Sequence, residues 1–305
     1  NGHFLSAQSG NAGGLTWAAV PATSTADILS AATIQKTATG NIGLGSTALD
    51  SITTGDDNVG LGDEALTATT SGNYNTAVGV RALKTNSTGS NNTALGQAAL
   101  LANTTGNDNT AIGLYAMIAN TTGTRNVAVG YHALDSNTTA NNNVAVGYDS
   151  LQANTTGTGN SALGKDSLKA TTTGTYNTAV GFAALEVNTT ASYNTAVGSS
   201  ALVANTTGAG NTAVGYTALD ANTTGAANTA IGGYALGANT TASNNTAIGS
   251  SALEVNTTGA NNVAVGDNAL AANTTANDNT AVGRTALLAN TTGTRNTAVG
   301  ANALD

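Results

Sequence analysis

The apolar positions of this 305-residue chain recur with a fixed period instead of falling into blocks. From residue 41 onward a glycine ends each string of the type Asn-Thr-Ala-Val-Gly, and it returns at every seventeenth position from Gly45 to Gly300 without insertion or deletion. The chain therefore holds 16 copies of one unit, of which 211–227 is representative. A fixed period of this kind is the signature of a stacked repeat architecture. We number the positions of each unit from this anchor glycine, which is position 0.

The conserved positions of the unit predict two strands and a turn. Position −4 is Asn in all 16 units, position −2 is Ala in the last 14, and position −1 is always aliphatic. Because side chains alternate along a strand, we expect positions −3 and −1 to face the core and position −2 to face outward. Ala-Leu-x-Ala-Asn-Thr alternates too and predicts a second strand, with the residue at +4 inward, which is Leu except at Met117. Thr-Gly-x-x-Asn predicts a turn, in which Gly or Ala at +10 and Asn at −4 supply the backbone angle and the side chain that tight turns require.

Stacking is the way in which such short strands can bury their apolar sides. Two strands in 17 residues expose those sides when the unit is alone, whereas stacked coils cover them continuously. A helix is disfavoured by the recurring Gly and paired Thr. The sequence therefore predicts an all-β parallel β-solenoid, or β-roll, of 16 coils over residues 41–305. At about 4.8 Å per coil the rod is about 75 Å long, with a thin core of Val, Leu and small residues and ladders of stacked Asn and Thr.

Small residues on the expected outer face suggest an oligomer. An outward position on a solvated strand varies freely, yet position −2 is Ala 14 times in succession and position +3 is Ala or Ser. We interpret these positions as packed against a neighbouring chain. The simplest assembly is a homotrimer of parallel solenoids.

Residues 1–40 lie outside the repeat and predict an N-terminal junction or cap. Residues 3–6 and 15–18 have the pattern of two short strands, and residues 26–35 predict one short helix or a strand. The first residue is Asn, and the chain stops within a repeat at Asp305. We therefore expect a processed chain or a piece of a longer one, since an open coil edge invites aggregation.

The charge content excludes several classes of partner. Charged residues make up 8% of the chain, the net charge is −8 and there are only eight Lys and Arg, so we expect no nucleic-acid binding. No apolar run reaches the length of a membrane span, so we expect no membrane insertion. Within the repeats every charged residue occupies position +1, +2, +5, +11 or +12, and we expect these positions to face solvent.

Residues for catalysis or for cofactor and metal binding are scarce. His3 and His132 are the only histidines and there is no cysteine, so we assign no catalytic, cofactor or metal site and expect no enzyme. One acidic cluster is either a cation site or, as we prefer, a solvated turn; it comprises Asp56, Asp57, Asp63 and Glu64. Twelve Asn-x-Thr/Ser sequons share position +7, of which Asn103-Thr104-Thr105 is typical, and this regularity favours a structural role over glycosylation.

Exposed tyrosines raise the question of a sugar platform. Tyr131 and Tyr148 occupy position +1 of consecutive units, about 5 Å apart along the axis. They could stack against a sugar ring. Because tyrosines are spread over many units, we favour the interpretation that these are surface turn residues, and we assign no ligand-binding residue.

Two families resemble parts of the chain. The strings Asn-Val-Ala-Val-Gly at 126–130 and 143–147, and Asn-Thr-Ala-Ile-Gly at 245–249, resemble the head repeats of trimeric autotransporter adhesins. That resemblance implies left-handed parallel β-rolls assembled as trimers. The whole unit, with its Ala-Leu-x-Ala-Asn-Thr-Thr-Gly half, is more similar to long repeat tracts in bacteriophage tail fibres, and residues 1–19 resemble a junction segment of phage fibre proteins. Neither family lends a catalytic or receptor-binding residue to these positions.

Together these observations predict a structural protein. We expect the shaft of a homotrimeric phage tail fibre, located on the virion tail, which extends a receptor-binding tip for host attachment and joins other tail or baseplate proteins through its flanking regions. One alternative is the head of a bacterial surface adhesin that binds host matrix or a surface glycan. A second alternative is an ice-binding solenoid; against it, the Thr at −3 alternates with Val and is expected to face the core.

Overall fold

The computed structural model describes residues 3–6, 16–19 and 39–305. The first two segments are β1 (His3–Ser6) and β2 (Thr16–Ala19), which pair antiparallel with His3 opposite Ala19. The prediction of two short strands is confirmed, with the second displaced by one residue. The helix or strand expected at 26–35 lies outside the described residues.

One three-residue strand follows in each of the 16 units, and together these strands form a single parallel sheet. The strands are β3 (Ile42–Leu44), β4 (Val59–Leu61), β5 (Thr76–Val78), β6 (Thr93–Leu95), β7 (Thr110–Ile112), β8 (Val127–Val129), β9 (Val144–Val146), β10 (Ser161–Leu163), β11 (Thr178–Val180), β12 (Thr195–Val197), β13 (Thr212–Val214), β14 (Thr229–Ile231), β15 (Thr246–Ile248), β16 (Val263–Val265), β17 (Thr280–Val282) and β18 (Thr297–Val299). Each strand pairs with that of the next unit in the register of the repeat, so that Ala196 lies opposite Ala213. The predicted parallel β-solenoid is confirmed.

The inside and outside of the strands are the reverse of what we expected. Ala213 at position −2 is fully buried, whereas Thr212 and Val214 at −3 and −1 are part-exposed. The cause is the width of the coil: a Cβ built at Gly60, also at −2, would lie 3.4 Å from Cγ of Leu49. A methyl group fits in that space and a larger side chain does not. The prediction that Ala faces a neighbouring chain is therefore wrong, and the invariance of Ala reflects core packing.

The apolar core consists of Ala and Leu, and Val is not part of it. In the representative unit, Ala213, Ala218 and Leu219 are fully excluded from solvent. Leu at +4 is buried in every unit from Leu49 to Leu287, with Met117 in its place once, as expected. Position +3, which we had placed on the outer face, also belongs to this core.

The second predicted strand does not form. The segment from +1 to +6 is a turn in which residues at +2 and +4 adopt a left-handed conformation, such as Thr217 at φ 48° and Leu219 at φ 56°. A strand needs extended backbone, so two left-handed residues exclude one. Coil-to-coil backbone hydrogen bonds persist without it: Leu202 N–H donates to the carbonyl of Ala218 at 3.0 Å, and Thr206 N–H donates to that of Thr223 at 2.9 Å.

Buried asparagines tie the corners of each coil together. The Asn211 side-chain amide donates to the carbonyl of Gly225 at 2.8 Å, and that of Asn222 donates to the same carbonyl at 3.0 Å. Both asparagines also bond to their copies in the preceding coil: Asn211 N–H reaches Asn194 Oδ1 at 2.9 Å, and Asn222 Nδ2 reaches Asn205 Oδ1 at 2.9 Å. The expected asparagine ladders are present, and they satisfy polar groups that burial would otherwise penalise.

The turn after these ladders differs from the expectation in one respect. We expected Gly or Ala at +10 to supply the unusual backbone angle, but the left-handed residue lies at +12, as at Tyr193 with φ 61°. Position +10 instead lies against the next coil: it holds only Gly or Ala, and a Cβ built at Gly208 would lie 2.2 Å from the carbonyl oxygen of Gly225.

Candidate functional surface

The strands present a continuous outer face of hydroxyl and aliphatic side chains. We call the side chains at −3 and −1 of β3–β18 the Thr-aliphatic face. Position −3 is Thr in ten units, Val in four, and Ile or Ser once each, while position −1 is Val, Ile or Leu in all 16. Leu95 is 46% exposed and Ile231 39% exposed. A row of aliphatic side chains therefore stands part-exposed along the whole sheet.

No charged side chain interrupts this face. Every charged residue of the repeats lies at +1, +2, +5, +11 or +12. The expectation that these five positions face solvent holds only in part, since Asp149 and Asp166 at +2 are 8% and 7% exposed. The sequence reasoning missed the Thr-aliphatic face because it assigned the larger residues to the core. The missed signal is that position −2 admits only Ala and Gly, whereas position −1 varies among three aliphatic residues, and the tighter position is the buried one.

The edge beside this face carries a row of aromatic rings. Tyr131 and Tyr148 stack with ring centroids 5.2 Å apart and an angle of 18° between their planes. Lys165 Nζ lies 5.8 Å from the Tyr148 ring and 5.5 Å from the Phe182 ring. His132 packs edge-on against Tyr131 at 4.1 Å. These residues, which we call the aromatic edge, occupy positions +1 and +2 of consecutive coils.

The stacking at the aromatic edge limits its use as a sugar platform. A pyranose binds on the open face of an aromatic ring, but Tyr131 and Tyr148 turn their faces toward each other. Lys165 approaches the Tyr148 ring from the next coil. Tyr176 and Tyr193 repeat this arrangement at 5.5 Å and 14°. The geometry favours tyrosine ladders that pack coil upon coil, which agrees with the interpretation preferred from sequence.

A charged network lies next to the aromatic edge. Lys169 Nζ contacts Asp166 Oδ1 at 2.9 Å and Asp149 Oδ2 at 3.0 Å, and thus bridges two coils. Burial raises the pKa of the Asp166 carboxyl, but hydrogen bonds from Lys169 and Lys165 outweigh it and hold that pKa below its usual value. Hydrogen bonds to Asp166 and Asp149 raise the pKa of Lys169. These partners make the network a stabilising bridge between coils and leave no group poised for proton transfer.

The acidic cluster of the first coils is divided among separate protein partners. Asp56 accepts a hydrogen bond from Thr39 N–H at 2.8 Å, and Glu64 pairs with Lys84 at 2.9 Å. Asp63 accepts from Ser46 N–H at 3.0 Å, and this bond lowers the pKa of its carboxyl. Within the described part of the chain no group of three or more acidic or histidine side chains is arranged to hold a metal ion.

One of the two histidines has a described side-chain contact. His132 Nδ1 pairs with the Asp135 carboxylate three residues away. His3 lies in β1, of which only the backbone is described.

The asparagines of the sequons are inaccessible. Asn103 is fully buried, and its amide donates to Asn86 Oδ1 at 2.8 Å and to the carbonyl of Gly106 at 3.0 Å. A glycan could not be attached to that nitrogen in the folded coil. The geometry accords with the structural role that the sequence favoured for these motifs.

Comparison with known proteins adds no relative. No protein-family model, no curated protein and no solved structure matches this chain. Among the described residues no helix has the length and apolarity that crossing a membrane requires.

Proposed function

We propose that the chain is the shaft of a homotrimeric phage tail fibre, which holds a receptor-binding tip away from the virion. The observation that carries this proposal is the unbroken register of the sheet through 16 coils. A binding site in a repeat protein is usually marked by an insertion or an aberrant unit. A spacer needs length and uniformity, and these are the properties that the repeat provides.

The internal bonding also suits a load-bearing rod. Each coil is joined to the next by backbone hydrogen bonds on several sides and by the buried asparagine ladder at −4, and most coils also by a second ladder at +7. These bonds run between coils, so their number grows with length, as in other repeat proteins whose stability is a sum of neighbour contacts. The net charge of −8 favours solubility of a long particle.

Imaging the source particle tests this proposal. Antibodies raised against residues 41–305 are bound to intact particles from the source and located by electron cryomicroscopy. The proposal expects label along a thin fibre that leaves a virion baseplate. Label on rods that stand on a bacterial outer membrane would overturn it in favour of an adhesin.

Ice binding is a second candidate, because the reversal of inside and outside removes the argument against it. Thr at −3 faces outward, and it does so in five consecutive strands, β11–β15. The hydroxyl and methyl groups of such a row form a regular array with a spacing of about 4.8 Å between strands. Thermal hysteresis in a solution of the purified chain would support this candidate, and its absence at millimolar concentration would eliminate it.

A further inference from the structure

Exposing the aliphatic side chains of the Thr-aliphatic face to water is energetically unfavourable for a rod that stands alone. Position −1 keeps an aliphatic side chain in all 16 units although these side chains are part-exposed, as at Leu163 with 50%. Two residues further along, position +1 holds Asp, Lys, Arg, Ser, Gln, Gly and aromatic residues in different units, and an aliphatic residue or Ala only at Val80, Leu114 and Ala301. Both positions lie on the surface, but only position +1 varies as a solvent-exposed position does.

Strand propensity does not account for this pattern. It explains Val, Ile and Thr, which strands favour, but position −1 is Leu in four units, including Leu44 and Leu95. Strands favour Tyr, Phe and Trp as well, yet none of these occurs at −3 or −1, while Tyr131 and Phe182 lie at the neighbouring position +1. What positions −3 and −1 share is an uncharged side chain of similar height, which is the requirement of a flat contact.

The projected area of the face is that of a large apolar surface patch and amounts to more than half of one partner's share of a stable interface. Two columns about 7 Å apart along about 75 Å of rod enclose roughly 500 Å² in projection. The largest apolar patch on a monomer is typically about 300–600 Å², and a stable interface needs about 800 Å² from each partner. Side chains that stand on the strip expose more than its projected area.

We infer that copies of this chain join through the Thr-aliphatic face, side by side, parallel and in register. A second copy of this chain has the same spacing between coils along its full length. In a parallel contact in register, each aliphatic side chain therefore meets the equivalent side chain of the other copy. Because the charges of the repeats lie at other positions, this contact brings no charged column into its centre. The inference rests on the homotrimer of the proposed function and specifies the face through which it assembles.

Lysine substitutions on and beside the face test the inference in the full chain. The face variant combines Leu95→Lys, Val197→Lys and Ile248→Lys. The control variant places the same three charges at position +1 of the same coils, as Gln97→Lys, Ser199→Lys and Ser250→Lys. Sedimentation velocity gives the mass, and circular dichroism checks the fold. We expect three chains for the wild type and the control, and a folded single chain for the face variant.

A cysteine pair keeps the test decisive if the lysine variant does not fold. The chain has no cysteine, so Val197→Cys and Ser199→Cys each introduce a single thiol. Parallel copies in register place Val197 of one chain across the contact from Val197 of another. Mild oxidation is therefore expected to link Val197→Cys into disulfide dimers at least tenfold faster than Ser199→Cys. An antiparallel contact would place this tenth coil opposite the seventh and give no such preference.

The outcomes separate this inference from the proposed function. If the face variant remains trimeric and Val197→Cys does not link preferentially, the chains assemble through another face and the inference alone fails. A wild-type dimer that the face variant dissociates supports the inference and contradicts the homotrimer. A monomeric wild type overturns both.

Discussion

At the scale of single residues, the anchor glycine sets the spacing of the coils. Gly198 has φ 134°, a conformation that side-chain-bearing residues rarely adopt, and a Cβ there would overlap the carbonyl oxygen of Gly215 in the next coil. We expect Gly198→Ala to destabilise the neighbouring coils by about 2–5 kcal/mol through strain and overpacking. Hydrogen exchange should show faster exchange centred on residues 190–220.

The matched control is Gly233→Ala, one position after an anchor glycine. A Cβ at Gly233 meets no atom closer than 3.9 Å, and its backbone is not left-handed. We expect no loss of protection from this variant. Equal behaviour of the two variants would contradict the explanation based on coil spacing.

Another prediction at this scale concerns a gap in an asparagine ladder. Thr171 replaces Asn at position +7, and Asn154 Oδ1 is buried without a hydrogen-bond donor. Asn188 Nδ2 reaches Thr171 Oγ1 at 3.3 Å in place of an amide oxygen. Thr171→Asn restores both links, so we expect it to stabilise the chain by about 1 kcal/mol.

Thermal unfolding followed by circular dichroism measures this effect. Thr173→Asn, which changes an exposed threonine two residues away, serves as the control and is expected to leave the midpoint unchanged. A midpoint for Thr171→Asn equal to or below that of the wild type would show that the ladder does not stabilise the rod.

At the scale of elements, the bridge from Lys169 to Asp149 and Asp166 couples the turns of two coils. Hydrogen bonds from Lys169 and Lys165 lower the pKa of Asp166 in the folded chain. The bridge therefore contributes to the free energy of unfolding above the pKa that Asp166 has in the unfolded chain, and this contribution is lost as the pH falls through the pKa of the folded chain. We expect Lys169→Met to cost about 1–2 kcal/mol at pH 7, a range that allows for solvent screening of the part-exposed lysine. The penalty should begin to shrink below about pH 5 and vanish once the carboxylates are protonated.

Urea unfolding at pH 7 and at pH 3 checks this dependence. Lys84→Met, which removes a more exposed pair with Glu64, is the comparison variant and is expected to cost under about 1 kcal/mol. A penalty for Lys169→Met that stays the same at both pH values would assign the effect to lost packing of the lysine stem.

The repeat also shows which features of an element can be predicted from sequence. The period, the strands from Ile42 to Val299 and the inward Leu at +4 follow from the spacing of like residues. The phase of the strand does not, because strict alternation fits two opposite arrangements, and the choice depends on a core width that admits Ala but excludes Val. The prediction of a second strand is wrong because Leu219 and Thr217 adopt the left-handed conformation. Neither is a glycine or an asparagine, the residue types that usually indicate this conformation in a sequence.

At the scale of the whole molecule, the same reversal changes the surface at which a contact between chains is proposed. The sequence predicted an oligomer from small residues at −2 and +3, but those residues fill the core of each rod. The exposed aliphatic row at −1 gives a different physical reason for association, namely burial of apolar surface along about 75 Å of sheet. In such an association the tyrosine ladders and the charged positions lie outside the contact, at the edges and corners of the coils.

The most direct test of this account is a cryo-electron microscopy structure of the purified full chain at side-chain resolution. We expect three parallel solenoids in register, with Ala at −2 inside each rod and the −3 and −1 side chains between rods. Single rods with the Thr-aliphatic face in water, or rods joined through any other surface, would contradict it.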